Sequence, residues 1–200
     1  PLSFPLRDRD RFQTIIGFDH DPVVQEPTAV GRLTCTDHDG RSFPYCYDEH
    51  HGSDYILRGG FDAMDTDSPA VHAAADGVVV ETEDGHYDRC HSSLETGDVD
   101  CDGHDVIANS VVVEHNGGYR TMYWHLKNGS VAVTVGQTVR QGDVLGHVGS
   151  SGWSSMPHLH FSLEDRGGDR IDPYAGPYSQ PETWWCEQDG GDGLPGACSE

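Results

Sequence analysis

The sequence predicts an all-β protein, a twisted antiparallel sheet or sandwich with a groove across one sheet. Three observations carry that prediction. Six short runs are rich in β-branched or aromatic residues, each is bounded by Gly, Asn or Asp, and no helical period persists beyond about ten residues.

Residues 77–83 set three valines behind Gly77, and residues 110–115 repeat a Val-Val-Val core before Asn116-Gly117-Gly118. Residues 119–125 are aromatic, running Tyr-Arg-Thr-Met-Tyr-Trp-His, and residues 130–135 alternate valine with smaller side chains between Gly129 and Gly136. Residues 143–148 and 158–163 complete the set, the last beginning His158-Leu159-His160-Phe161. Branched and aromatic side chains suit a pleated, half-buried surface, so each run reads as a strand.

At 200 residues the chain can bury one core. Its 34 Asp and Glu outweigh 12 Lys and Arg to give a net charge of -22, and Lys127 is the single lysine. Nucleic acid is excluded as a natural partner, because a phosphate backbone is met by clustered cations. No apolar run approaches roughly 18 residues, so no membrane insertion is expected. The chain begins Pro1-Leu2-Ser3 without a basic and then apolar leader. The expectation is a mature, exported form after removal of a signal and any propeptide.

Cys35 and Cys46, Cys90 and Cys101, and Cys186 and Cys198 form three couples, each about a dozen residues apart. Local pairing is the simplest of the connectivities open to six cysteines. No Cys-x-x-Cys pair occurs, so structural disulfides in an oxidising compartment are expected rather than a cysteine metal site.

The chemistry concentrates in five residues. His50 and Asp54 lie in His50-His51-Gly52-Ser53-Asp54, His125 in Tyr123-Trp124-His125-Leu126, and His158 and His160 in the last strand. Zinc takes imidazole and carboxylate donors, and a catalytic site keeps a position for water, so three ligands and two spare bases make a working set. On a strand, positions i and i+2 share a face, so His158 and His160 enter one pocket, one to bind metal and one to handle protons. With 13 histidines in the chain, a lone His-x-His says little; the order of the motifs says more.

In that order the motifs resemble the lysostaphin and LytM type of zinc metalloendopeptidases, which cut peptide cross-links in bacterial cell walls. His50-x-Gly52-x-Asp54 matches the first ligand pair of that family, Tyr123-Trp124-His125-Leu126 its central histidine motif, and residues 149–161 its last motif. Residues 69–79 and 135–146 are similar to its connecting strand and turn phrases, so the likeness covers roughly residues 46–165. It implies a bacterial protein, secreted to the exterior or periplasm, and a LytM-like sheet of the duplicated-hybrid-motif type with one catalytic Zn2+ in its groove. His50, Asp54 and His160 would be the zinc ligands, and His125 and His158 the catalytic pair. One of the pair would take a proton from a metal-activated water, and the other would bind the oxyanion or protonate the leaving amine. Family members often use a tyrosine near the site, for which Tyr45 and Tyr47 are the candidates. Met156 is a departure, standing where a small residue usually precedes Pro-His-Leu-His.

Around a catalytic domain of residues 46–172, the chain adds an N-terminal extension, residues 1–45, an insertion at about 84–109 and a C-terminal extension, residues 173–200. His20 among its acidic neighbours is a ligand candidate, read in preference as part of a loop flanking the groove. Asp98, Asp100, Asp102 and Gly103 match the first half of a calcium loop, where alternate oxygens converge, but the twelfth position is Asn109 rather than Glu. Ca2+ is therefore a candidate structural ion, against a solvated acidic loop closed by Cys90 and Cys101. Residues 60–67 read as a further solvated acidic rim. Trp184 and Trp185 are expected to pack on the core, with a place in the groove as the alternative.

The leading function is hydrolysis of peptidoglycan cross-link peptides by a monomer. The alternatives are the same hydrolysis of glycine-rich proteins such as elastin, and a non-enzymatic wall-binding or regulatory module, whose signature would be a lost ligand. None is lost. The helix-borne His-Glu-x-x-His motif is absent, which argues against a thermolysin-like protease.

Overall fold

Two-residue alternation along the strands builds one large antiparallel sheet with a buried face and an open face. In the computed structural model, residues 1–189 and 193–198 are described. Residues 190–192 and 199–200 of the expected C-terminal extension lie outside the described residues. The strands are β1 (Phe12–Ile16), β2 (Ser53–Leu57), β3 (Ala70–His72), β4 (Gly77–Glu83), β5 (His91–Ser92), β6 (Val99–Asp100), β7 (Asn109–Glu114), β8 (Arg120–Leu126), β9 (Thr138–Val139), β10 (Val144–His147), β11 (His158–Glu164) and β12 (Arg170–Ile171). The α-helices are α1 (Ala29–Arg32) and α2 (Gly60–Asp67), so the chain is all-β in character.

Among the described residues the main sheet runs β1-β2-β11-β8-β7-β4-β9, with β12 beside β11. Alternation sends Tyr55, Leu57, Val111, Val113, Tyr123, Leu159, Phe161 and Leu163 to the core face, each fully buried. The β10–β3 pair adds Val71 and Leu145 to the same core. On the open face, Ser110, Val112, Met122, Trp124 and Glu164 line a groove of about 750 Å³.

Both ends of the chain close this core. Leu2, Phe4 and Leu6 are buried, and Phe4 meets Tyr55 edge-on at 4.9 Å. Trp185 packs on Phe161 at 5.2 Å and Tyr174 at 5.8 Å, so the tail's tryptophan fills the core instead of lining the groove. Each such large apolar side chain stabilises the fold by roughly 1.5–3 kcal/mol. The three local disulfides, Cys35–Cys46, Cys90–Cys101 and Cys186–Cys198, are all formed.

One expected strand is missing. Residues 130–135 form no strand; Val133 is buried, but β10 takes β3 as its partner and the segment keeps one backbone–backbone bond to β10, Ala132 N to Leu145 O at 2.9 Å. Residues 60–67 do present an exposed acidic rim, but on a helix, α2, which buries Met64 while Asp67 pairs with Arg11 at 3.1 Å and Asp65 with Arg89 at 2.6 Å. Two helical turns are too short to show a period against so many aspartates. Among the described residues no helix is long and apolar enough to cross a membrane.

Candidate metal centre and its histidine pair

The register of three neighbouring strands assembles the site. Asp54 on β2 pairs with His160 on β11, and His160 pairs with Trp124 on β8, so carboxylate, imidazole and indole form a row across the sheet. Trp124 stacks on His160 with ring centres 5.5 Å apart. His50, just before β2, donates from Nδ1 to the Gly17 carbonyl at 2.7 Å. Its Nε2 is then left 3.2 Å from Asp54 Oδ1 and 3.2 Å from His160 Nδ1. His160 Nδ1 lies 2.8 Å from Asp54 Oδ1, and its Nε2 lies 2.8 Å from Ser162 Oγ.

One ligand atom from each of His50, Asp54 and His160 therefore falls within 4.8 Å of the other two, all three residues buried. It is the only such convergence among the described residues. Two imidazoles and one carboxylate are a donor set that fits zinc. The Gly of the His-x-Gly-x-Asp motif has a steric reason: a Cβ on Gly52 would stand 2.6 Å from the His160 ring.

His125 reaches the site through a break in the strand period. In an unbroken β8 it would share the core face with Tyr123. Instead Asn109 pairs with Leu126 and Ser110 with Trp124, leaving His125 as the extra residue of a bulge at φ 64°. A non-glycine residue in this left-handed region costs on the order of 1–3 kcal/mol. Its Nδ1 donates to the Ser151 carbonyl at 2.7 Å, which offsets part of that cost and leaves Nε2 as the ring's basic nitrogen. His158 is held alike, Nδ1 donating to the Met156 carbonyl at 2.7 Å, with Ser154 Oγ 3.2 Å away. Its Nε2 lies 3.5 Å from Asp54 Oδ1, and the two rings of the pair are 4.6 Å apart.

Burial penalises the Asp54 carboxylate, yet the charges of His50 and His158 and hydrogen bonds from His160 and His50 hold it well below the usual carboxylate range. Burial likewise opposes charge on His50, but Asp54 and the Gly17 carbonyl raise its pKa. His125 is driven well below the ordinary histidine value, first by burial and then by His158 and His160. It is therefore a neutral imidazole at neutral pH.

The two candidate tyrosines separate. Tyr47 stacks on His50 with ring centres 4.3 Å apart, and burial, reinforced by Asp54, raises its hydroxyl well above the usual phenol value. Tyr45 is 40% exposed beneath the Arg41 guanidinium, 4.4 Å from its ring centre. His20 stands outside the cluster, bonded to Asp172 at 2.9 Å. Asp98, Asp100 and Asp102 do not converge; Asp100 Oδ1 accepts from the Asp102 amide at 2.8 Å, and Asp102 Oδ2 accepts from Tyr87. The carbonyls of Gly17, Ser151 and Met156 escape sequence reading because any residue supplies a carbonyl. Ser162 was within reach of the strand period, two residues beyond His160 on the same face.

The profile of peptidase family M23 matches residues 50–173, more than half of the chain. This chain belongs to peptidase family M23. Among its relatives, peptidoglycan DD-endopeptidase ShyA of Vibrio cholerae serotype O1 is 32% identical over 118 residues, 59% of this M23 chain and 21% of ShyA. Glycyl-glycine endopeptidase ALE-1 of Staphylococcus capitis is 31% identical over 112 residues, 56% of this chain and 24% of ALE-1. The match thus spans a quarter or less of either relative. A chain in the crystal structure of the SpoIIIAH and SpoIIQ complex superposes with a TM-score of 0.55 at 21% identity, covering 86% of this chain and 97% of its own, a likeness of fold alone.

Proposed function

We propose that this M23 chain is a secreted zinc endopeptidase that hydrolyses peptide cross-links of bacterial peptidoglycan. The observation that carries the reading is the convergence of His50, Asp54 and His160, with His125 and His158 ring to ring beside them. Relatives named as peptidoglycan and glycyl-glycine endopeptidases support the substrate class, and three formed disulfides support an oxidising compartment.

His50 through Nε2, His160 through Nδ1 and Asp54 through its carboxylate would hold the zinc. Bound there, zinc supplies Lewis acidity for the scissile carbonyl and lowers the pKa of a coordinated water. His125 and His158, each with Nδ1 committed to a carbonyl, offer Nε2 for proton transfer. Tyr47, kept protonated, supports His50 by stacking. The groove beside Trp124 accommodates an extended peptide.

The test is incubation of the protein, with and without a chelator, with pentaglycine-linked and directly cross-linked peptidoglycan, reading released fragments by mass spectrometry. New amine ends that vanish with chelator are expected, and they identify the bond. No release from either wall overturns the reading.

A further inference from the structure

The carbonyls that orient the two catalytic-pair histidines belong to one loop, residues 149–156, and the disulfide-closed insertion grips that loop. The Cys90 amide donates to the Ser150 carbonyl at 3.0 Å, and Ser150 Oγ donates back to the Cys90 carbonyl at 3.1 Å. The Ser92 amide donates to the Ser154 carbonyl at 2.8 Å. At the far end of the insertion, the Asn109 amide donates to Ser151 Oγ at 2.9 Å, and Asn109 Nδ2 donates to the carbonyls of His86 and Leu126 at 3.0 and 3.1 Å. Ser151 Oγ completes the clamp on the His125 bulge by donating to the Leu126 carbonyl at 2.9 Å. Gly152 runs so close to Ala108 that a Cβ would stand 2.8 Å from the Ala108 amide.

Cys90, Ser150, Ser151, Ser154 and Asn109 are all essentially inaccessible, so these bonds are shielded from competing water. His50 is oriented elsewhere, by Gly17, and His160 by Ser162. We infer that the Cys90–Cys101 insertion is a positioning element for His125 and His158, acting through Ser150, Ser151 and Ser154, and that turnover depends on this disulfide being closed. The inference rests on the reading of the chain as a peptidase whose protons pass through those two histidines. The disulfide joins the residues that flank β5 and β6 and so limits how far Cys90 and Ser92 can leave the loop.

The experiment compares the zinc-loaded wild type with the double variant Cys90→Ala/Cys101→Ala, and with Cys186→Ala/Cys198→Ala as a control remote from the loop. kcat, KM, bound zinc and the thermal transition are measured for each. The expected result is a kcat loss of roughly tenfold to a hundredfold in the first variant, because a displaced base costs about that much. Its KM and zinc content stay unchanged, and the control keeps its kcat. Ser150→Ala, which removes the bond to the Cys90 carbonyl together with the 2.8 Å contact to Ser154 Oγ and adds no bulk, should lower kcat in the same sense by a smaller factor, and set beside Ser154→Ala, which removes the second contact alone, it decides the matter where the double variant fails to fold: a kcat no lower than that of Ser154→Ala overturns the inference. Full kcat in both variants, or zinc and kcat lost in parallel, overturns the inference. An inactive wild type instead overturns the proposed function, so the two failures are told apart.

Discussion

The N-terminal segment and the insertion hold opposite halves of the same site. The segment around Gly17 orients a metal-side residue: Gly17 accepts from His50, the Asp19 amide donates to the His50 carbonyl at 2.8 Å, and buried Asp19 accepts amides from Asp21, Thr36 and Glu49. The insertion holds the loop that orients His125 and His158 and makes no hydrogen bond to His50, Asp54 or His160 among those described. On the proposed function, metal affinity and turnover would be supported by separate parts of the chain, so damage to each should have its own signature.

The largest effects are expected at the proposed ligands. His160→Ala should abolish both zinc retention, read by metal analysis after dialysis, and hydrolysis of cross-linked peptidoglycan. His158→Ala should keep the metal and lower kcat by about 10²–10⁴-fold, the usual worth of a positioned acid or base. Zinc lost equally from both variants would break the division between the two halves. Asp19→Ala loosens the segment around Gly17 and should weaken zinc binding by roughly 10–100-fold, as changes to groups supporting a metal ligand do. Saturating zinc should restore its kcat, measured by titrating metal into the apo protein; a kcat that stays low would place the N-terminal segment with the insertion. Gly52→Ala should resemble Asp19→Ala in losing affinity, because its Cβ meets the His160 ring at 2.6 Å, but saturating zinc should restore it only in part.

The smallest effect supplies a background outside both regions. His115 donates from Nδ1 to the Asp76 carbonyl at 2.8 Å, and burial lowers its pKa below the ordinary histidine value. The folded state thus resists protonation more than the unfolded chain does. Stability is full above the unfolded histidine pKa and declines as pH falls from there towards the lowered value. His115→Gln should flatten the fall of Tm across that window while leaving zinc binding and kcat at wild-type levels.

The five site residues were legible because they sit in ordered motifs, and the row from Asp54 through His160 follows from strands of the right period. The β-branched runs at residues 77–83 and 110–115 became β4 and most of β7 because their alternation already matched a sheet with one buried face. β1 was not legible, since its Phe-Gln-Thr-Ile-Ile run becomes a strand by pairing with β2. Nor was α2, where Met64 alone of two short turns is deeply buried. Local disulfide pairing was readable from spacing; that one disulfide lies against the loop behind the histidines was not.

By itself the sequence determined the residue types of the site, their order along the chain and the all-β class, because side-chain chemistry and two-residue periodicity are local properties. Only the tertiary structure decided that His125 turns towards His158 and His160, since that requires a bulge set by the register between β7 and β8. It alone decided which nitrogen each imidazole presents, because the carbonyls of Gly17, Ser151 and Met156 that claim the other nitrogen are supplied by backbone. A carbonyl carries no residue identity, so its direction exists only once the chain has folded.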